Sequence, residues 1–160
     1  MTQTEYVHAV QRNSQRLFLI ALSFVRNRMD AEDALQDVFL NLWNRAEPFE
    51  DEAHMDKFLT RVCINVCKNM LRSPFRRRCV DLDDAQSLYT FDSMEDFDLF
   101  RAVLSLPVKE RTVVHLFYYE DQSVREIADS LRMTESAVKT ALHRAREKLR
   151  KCLKEEGNHE

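Results

Sequence analysis

The sequence predicts an all-α protein in which two small helical domains are joined by a flexible linker. Of its 160 residues, one is glycine and three are proline, so few positions favour the positive φ angles that tight β-hairpins need. Good helix formers, namely Leu, Ala, Arg, Glu and Lys, are plentiful. The length suits one ordinary domain or two small ones, and a change of composition in mid-chain favours two.

The charge is sorted into blocks that the net value of −3 conceals. Residues 61–80 contain six Arg or Lys and no acid, residues 81–98 contain seven acids and no base, and residues 132–154 contain eight Arg or Lys against two Glu. These blocks predict domains over 1–74 and 97–160 and an acidic flexible linker over 75–96. One hypothesis is that the acidic segment covers the basic surfaces of the free protein.

Apolar residues at helical spacing predict helices over 6–25, 30–46 and 55–71, and a break of the first near Asn13 and Ser14 would give four. Cys63 and Cys67 are four residues apart and share a face of the last helix. The cysteine spacing matches no zinc finger. We interpret the pair as reduced core thiols, with a metal or redox pair as the alternative.

The helix over 30–46 has two contrasting faces. Its apolar stripe consists of Ala34, Leu35, Val38, Phe39 and Leu42, and its opposite face carries Asp33, Gln36, Asp37, Leu40 and Asn44. A leucine within an acidic face is typical of a protein-binding surface, and the acids would repel DNA, so a basic protein surface is the expected partner. The alternative is an ordinary surface helix with one exposed leucine.

The helix over 55–71 carries amide and basic side chains. Asn65 and Asn69 share a face, and amides can read exposed base edges. Arg72 and the run FRRR follow directly. Phe58 is either a stacking surface for a base or a core residue.

Residues 97–155 form a second helical block, interrupted at Leu106 and Pro107, where a new helix is predicted to begin. Ser123 and Glu126 fit a capping box, and Thr134 is placed to cap the following helix. The apolar positions are Ile127, Ala128 and Leu131 on the short helix and Val138, Ala141, Leu142, Ala145 and Leu149 on the long one. This pattern predicts a helix-turn-helix, although the usual turn glycine is missing.

The second helix of such a motif can lie in a DNA major groove. Ser136, Ala137 and Thr140 are small enough for close approach. The other polar side chains of that face and its flanks, Lys139, His143, Arg144, Arg146 and Arg150, include several that suit phosphates or guanine edges. The alternative is a helical hairpin whose charges only solvate it.

Three motifs, taken in order, resemble the extracytoplasmic-function (ECF) sigma factors, which are promoter-specificity subunits of bacterial RNA polymerase. They are DAEDALQDVFLNLW, FLTRVCINVCKNMLRSPFRRR and LSLPVKERTVVHLFYYEDQSVREIADSLRMTESAVKTALHRAREKLR. The resemblance covers nearly the whole chain. Two departures are Phe58, where the family commonly has tryptophan, and Ser136-Ala137, where glycine or threonine is frequent.

The resemblance implies a role for each group of residues. Core polymerase binding would fall to Asp33, Gln36, Asp37, Leu40 and Asn44. The promoter −10 element, with a base flipped out near Asn65, would be bound by Phe58, Arg61, Asn65, Lys68, Asn69 and Arg72. The −35 element would be bound by Ser136, Ala137, Lys139, Thr140, His143, Arg144 and Arg146. The linker would run toward the active-site cleft of the polymerase.

The expected function is promoter recognition in the cytoplasm, with core RNA polymerase, promoter DNA and an anti-sigma factor as partners. No catalysis, cofactor, metal or small-molecule substrate is expected. The sequence shows no Gly-rich phosphate loop, no metal-ligand set and no nucleophile with a base nearby. A stand-alone helix-turn-helix regulator is the alternative, and it leaves residues 30–72 without a role.

Overall fold

The computed structural model describes residues 1–73 and 94–157, and every regular element within these ranges is an α-helix. The helices are α1 (Gln3–Val25), α2 (Arg28–Asn44), α3 (Glu52–Arg72), α4 (Met94–Leu104), α5 (Val108–Tyr118), α6 (Val124–Leu131) and α7 (Glu135–Gly157). The all-α prediction is confirmed. None of these described helices is both long and apolar enough to cross a membrane.

The described helices fall into two compact units, with α1 to α3 in one and α4 to α7 in the other. Most of the predicted linker lies outside the described residues. Its last three residues are helical instead, because α4 begins at Met94. The domain boundaries at 74 and 97 stay predictions, and α4 begins three residues before the second of them.

Side-chain caps define the starts of the first three helices. Thr2 and Glu5 form a capping box before α1, Asn27 accepts a hydrogen bond from the Asp30 amide before α2, and Asp51 accepts one from the His54 amide before α3. Such caps satisfy amides that have no partner within the helix. They explain why α2 and α3 begin two and three residues earlier than apolar periodicity predicts.

The predicted break of α1 near Asn13 and Ser14 is wrong, because both side chains bond back to their own helix. Asn13 Nδ2 donates to the Ala9 carbonyl at 2.9 Å, and Ser14 Oγ donates to the Val10 carbonyl at 2.5 Å. Asn13 is buried, and its Oδ1 accepts a hydrogen bond from Arg16 Nη2. Polar residues in mid-helix are tolerated when their groups find such partners.

The core of the N-terminal unit lies among three mutually packed helices. Its fully buried side chains include Leu17, Ile20, Val38, Leu42, Leu59 and Ile64. Cys63 and Cys67 are reduced cysteines buried in this core, and Cys63 Sγ lies 3.6 Å from the Leu17 carbonyl oxygen. Their placement is that of the core thiols predicted from the sequence.

A polar seam joins α1 to α3 beside this core. Arg12 pairs with Glu52 and Asp56, and Arg16 Nη1 donates to Thr60 Oγ1 at 2.7 Å. These partners lie at successive turns of one side of α3, so the seam fixes the rotation of α3 about its axis. The opposite side of α3 is left facing outward.

In the C-terminal unit, α4, α5 and α6 all pack on α7. Phe100, Leu104, Leu116 and Ile127 are among its fully buried side chains. Glu110, buried at the start of α5, accepts hydrogen bonds from Lys148 Nζ of α7 at 2.8 and 2.9 Å. This ion pair fixes α7 against α5.

The predicted turn between α6 and α7 forms without glycine. Ser123 and Glu126 make the expected capping box, and Thr134 Oγ1 accepts a hydrogen bond from the Ala137 amide at 3.0 Å. Arg132 takes the left-handed conformation, at φ 54° and ψ 49°, that glycine would adopt most readily. The Met133 amide then bonds to the Ala128 carbonyl at 2.9 Å and closes the turn.

His115 is a buried titratable group in the core of the C-terminal unit. Its ring stacks on Tyr119 with centroids 5.0 Å apart, and its Nδ1 has no hydrogen-bond partner among the described residues. Burial lowers the pKa of the His115 imidazole from 6.5 to about 4. The side chain is therefore neutral at physiological pH.

Because the folded pKa of His115 lies below its unfolded value, the unfolded chain binds the proton first as the pH falls through about 6.5. The contribution of His115 to stability is thus complete above that pH and is lost progressively toward pH 4. At about pH 5 the wild type should have lost roughly 2 kcal/mol through this group. Urea unfolding at pH 7 and 5 measures the free energy of unfolding of wild type and of His115→Leu. The part of the stability loss between these pH values that is due to His115 should be absent in the variant. Equal pH dependence in both would contradict the assignment; the exposed His8→Leu is the matched control and should behave like wild type.

Candidate nucleic-acid and protein interfaces

The exposed face of α2 has the composition that the sequence predicts. Asp33, Gln36, Asp37, Leu40 and Asn44 are all exposed, and Leu40 retains 57% of its accessible surface. The buried stripe is also as predicted, except that Leu35 is only half-buried. The result is an apolar side chain surrounded by carboxylates and amides.

Trp43 is a further member of this face that the sequence analysis missed. It is 51% exposed and lies one turn after Leu40, on the same side of α2. The Tyr6 ring meets the indole edge-on at 5.0 Å, while Tyr6 Oη donates to the Phe39 carbonyl at 3.2 Å. Trp43 follows Leu40 by three residues and Gln36 by seven, and this helical spacing was the signal that could have placed it on the face. Leu40 and Trp43 together give the face an apolar centre within an acidic rim, which suits a protein partner with basic residues at its edge.

The outward side of α3 is a row of amides and cations. Arg61, Asn65, Asn69 and Arg72 are exposed, and Lys68 is half-buried. Lys57, exposed one turn before Arg61, extends the row and was not predicted. From Lys57 to Arg72 the row is about 22 Å long at the rise of an α-helix. A row of this length can follow several phosphates of one nucleic-acid strand.

Phe58 lies two turns before Asn65 on the same side of α3, but its ring is already engaged. The Phe49 ring is 5.3 Å away, and the Arg45 guanidinium lies 4.4 Å from the Phe49 centroid and 4.6 Å from that of Phe58. Phe58 is half-buried in this cluster. It supports the loop between α2 and α3 while leaving part of its ring accessible beside the α3 row.

The exposed side of α7 consists of three parallel rows. The central row is nearly uncharged over its first turns and holds Ser136, Thr140 and His143, while one flank holds Lys139, Arg146 and Arg150 and the other holds Arg144, Lys148 and Lys151. All of these side chains are exposed, and Ala137 is half-buried beside them. Two basic flanks around a small, polar centre match a helix lying in a major groove, where phosphates stand on both sides and base edges at the bottom.

Four of these α7 side chains already have partners within the unit, including Thr140, whose Oγ1 donates to the Ser136 carbonyl at 3.0 Å. Arg146 Nε donates to Tyr118 Oη at 2.7 Å, Lys148 binds Glu110, and His143 Nε2 lies 3.4 Å from Glu147 Oε1. Arg144, Thr140 and Ser136 border a shallow groove of about 440 Å³ next to Pro107 and Lys109. The structure thus brings all the sequence-predicted residues of α7 to one surface.

Comparison with known families agrees with these features. The Sigma-70 region 2 family matches residues 9–78, and the Sigma-70 region 4 family matches residues 97–149. The first range contains the α2 and α3 faces, and the second contains the helix-turn-helix. Together the two matches cover most of the chain.

Curated relatives match over most of their own length. The RNA polymerase sigma-E factor of Streptomyces coelicolor is 31% identical over 155 residues, covering 93% of this chain and 86% of the relative. The ECF RNA polymerase sigma factor SigM of Mycobacterium tuberculosis is 28% identical over 145 residues, covering 89% and 74%. The RNA polymerase sigma factor SigV of Bacillus subtilis is 26% identical over 146 residues, covering 90% and 88%.

Two solved structures share the fold. The sigma factor RpoE of Bartonella quintana, in complex with the anti-sigma factor NepR, has a TM-score of 0.70 at 19% identity, covering 94% of this chain and 97% of that one. CnrH, in complex with the cytosolic domain of CnrY, has a TM-score of 0.64 at 25% identity, covering 96% and 90%. With both Sigma-70 regions present in order and a relative above 30% identity along nearly its whole length, the chain belongs to the ECF sigma factors of RNA polymerase.

Proposed function

We propose that this ECF sigma factor binds core RNA polymerase through the exposed face of α2 and recognises promoter DNA through α3 and α7. The observation that carries the assignment is the contrast between faces. The α2 face is acidic with an apolar centre, whereas the α3 face is basic and amide-rich and the α7 face is basic with a small polar centre. One face therefore suits a protein and the other two suit nucleic acid. The factor acts in the cytoplasm, where transcription takes place, and catalyses no reaction of its own.

Leu40 and Trp43 would form the centre of the polymerase contact. Both side chains lie half or more exposed in the free chain and would be buried in the complex. Asp33, Gln36, Asp37 and Asn44 form the polar rim, where charge steers association with a basic partner. A large aromatic residue inside such a rim is the usual pattern of an energetic hot spot.

The α3 row would bind one strand of the −10 element. Lys57, Arg61 and Arg72 are placed to neutralise phosphates, and Asn65 and Asn69 to pair with the edge of an unstacked base. Extruding a base costs a few kcal/mol, so amide contacts that compensate for one base and not for another select sequence. The accessible part of Phe58 can pack against a neighbouring base.

The α7 rows would bind the −35 element as duplex. The two basic flanks face phosphates on either side of the major groove, and Ser136, Thr140 and His143 face the base edges. Each contact contributes modest affinity, but joining the two DNA-binding units in one chain makes the second binding event intramolecular.

The residues between the two units lie outside the described ranges, and their role as a flexible acidic tether stays part of this proposal. An anti-sigma factor, as is bound to RpoE in the solved complex, is the expected regulator.

The test is in vitro transcription by bacterial core polymerase on a pool of random promoter fragments, with and without the full chain. The proposal predicts new transcription starts that depend on the chain and reveal both promoter elements. The absence of starts, together with tight binding of the free chain to duplex sites, would indicate a stand-alone regulator instead.

Replacing Leu40 and Trp43 by alanine should weaken core polymerase binding by 10-fold or more, because truncating a hot-spot residue costs about 2 kcal/mol or more. Fluorescence anisotropy with labelled full chain measures the affinity. Leu153→Ala is the matched control, since Leu153 is also an exposed leucine but lies in the C-terminal unit. Equal affinities for the double variant and wild type would contradict the assigned face.

Replacing Asn65 by alanine should reduce promoter opening by about 10-fold or more, since one bidentate base contact contributes about 1–3 kcal/mol of discrimination. Core polymerase binding should stay at the wild-type level. Permanganate reactivity of the −10 thymines reports opening, and the matched control is Asn41→Ala, an exposed asparagine on α2. Normal opening by the Asn65 variant would exclude a base contact there.

A further inference from the structure

Helix α5 contacts the two basic flanks of α7 through chemically different side chains. On one flank, Arg146 Nε donates to the phenolic oxygen of Tyr118 at 2.7 Å, and its guanidinium carbon lies 5.6 Å from the Tyr118 centroid and 5.7 Å from that of Phe117. On the other flank, Lys148 Nζ binds both carboxylate oxygens of the buried Glu110. A neutral group holds the arginine, whereas an anion holds the lysine.

The two contacts have opposite consequences for charge. The phenol occupies the Nε–H of Arg146, and among the described residues no carboxylate compensates its positive charge. The four N–H groups on the two terminal nitrogens stay available, and two of them can bind one phosphate in parallel. The carboxylate of Glu110 instead compensates the charge of Lys148 and holds its ammonium group toward α5.

We propose that Tyr118 is a positioning residue that presents the terminal nitrogens of Arg146 to a backbone phosphate of duplex DNA, while Glu110 withholds Lys148 from the DNA. This inference rests on the proposed role of α7 as the −35 reader and names which of its flanking cations bind phosphate. Lys148 lies in the row that periodicity alone would assign to DNA, so the pattern of available cations is set by α5.

The benefit of the Tyr118 contact is preorganisation. A free arginine side chain loses rotamer entropy when it binds a phosphate, and a side chain already held in place loses less. Tyr118 is half exposed, so its hydroxyl can be removed without opening a cavity in the core. Tyr118→Phe therefore leaves the charge of Arg146 unchanged and removes only its orientation.

The experiment is a double-mutant cycle on the full chain, measured as binding to a mixed-sequence DNA duplex over a series of salt concentrations. Arg146→Ala should lower the affinity and reduce the slope of log affinity against log salt by about 0.9, the value for one phosphate contact. Tyr118→Phe should lower the affinity about threefold. In the Arg146→Ala background the same change should have no further effect. Tyr6→Phe, which also removes one tyrosine hydrogen bond but in the other unit, is the matched control and should bind like wild type.

An equal effect of Tyr118→Phe in both backgrounds, or no effect in either, would overturn the positioning role. Glu110→Gln should free Lys148 and steepen the salt slope by about 0.9, and an unchanged slope would overturn the withholding of Lys148. If Lys139→Ala and Arg144→Ala weaken binding but Arg146→Ala does not, the inference fails while the proposed function stands. If none of the three weakens binding, the DNA-binding role of α7 itself fails.

Discussion

Helices α2, α3 and α7 each bury a single stripe of side chains in the core of their unit and expose the opposite side. The side that is buried therefore determines the side that is exposed. In the N-terminal unit the seam of Arg12 and Arg16 against Asp56 and Thr60 adds polar contacts to this apolar packing. Those contacts are directional, so they fix the rotation of α3 more narrowly than apolar burial would. The outward row through Asn65 follows from that rotation.

The same constraint explains how a small factor presents three unlike surfaces. The acids of α2 and the cations of α3 belong to one unit, but they lie on different helices whose apolar stripes meet in one core. In the C-terminal unit, α5 supports α7 from behind and also contacts its flanks through Tyr118 and Glu110. The supporting helix thus shapes the recognition surface as well as the core.

Helical periodicity was sufficient to predict the helices and most of their exposed faces. The all-α class, the helix-turn-helix caps and the polar side of α2 depend on local spacing, which a sequence displays directly. The positions that spacing misread have local causes. Asn13 suggested a break, but its amide bonds to the Ala9 carbonyl and to Arg16, and the missing turn glycine is replaced by Arg132 in a left-handed conformation.

Contacts between distant segments could not be predicted from spacing. Trp43 was overlooked although spacing placed it on the α2 face, whereas the partners of Arg146 and Lys148 lie 28 and 38 residues away in sequence. Residue type and periodicity alone place both cations in equivalent rows. Only the packing of α5 on α7 distinguishes them. The roles of individual residues at the polymerase and at the promoter remain proposals that rest on these faces.

The assignment of the α2 face to polymerase and of the α7 face to DNA is tested most directly by hydroxyl-radical footprinting. The full chain is footprinted alone, with core polymerase, and with polymerase and promoter DNA. Trp43 is the single tryptophan and half exposed, and His143 is exposed on α7, so both are reactive reporters in the free chain. The account predicts that core polymerase alone protects Trp43 and that His143 becomes protected only when promoter DNA is added. Trp43 that stays fully reactive with polymerase bound, or His143 that stays reactive on the promoter, would contradict it.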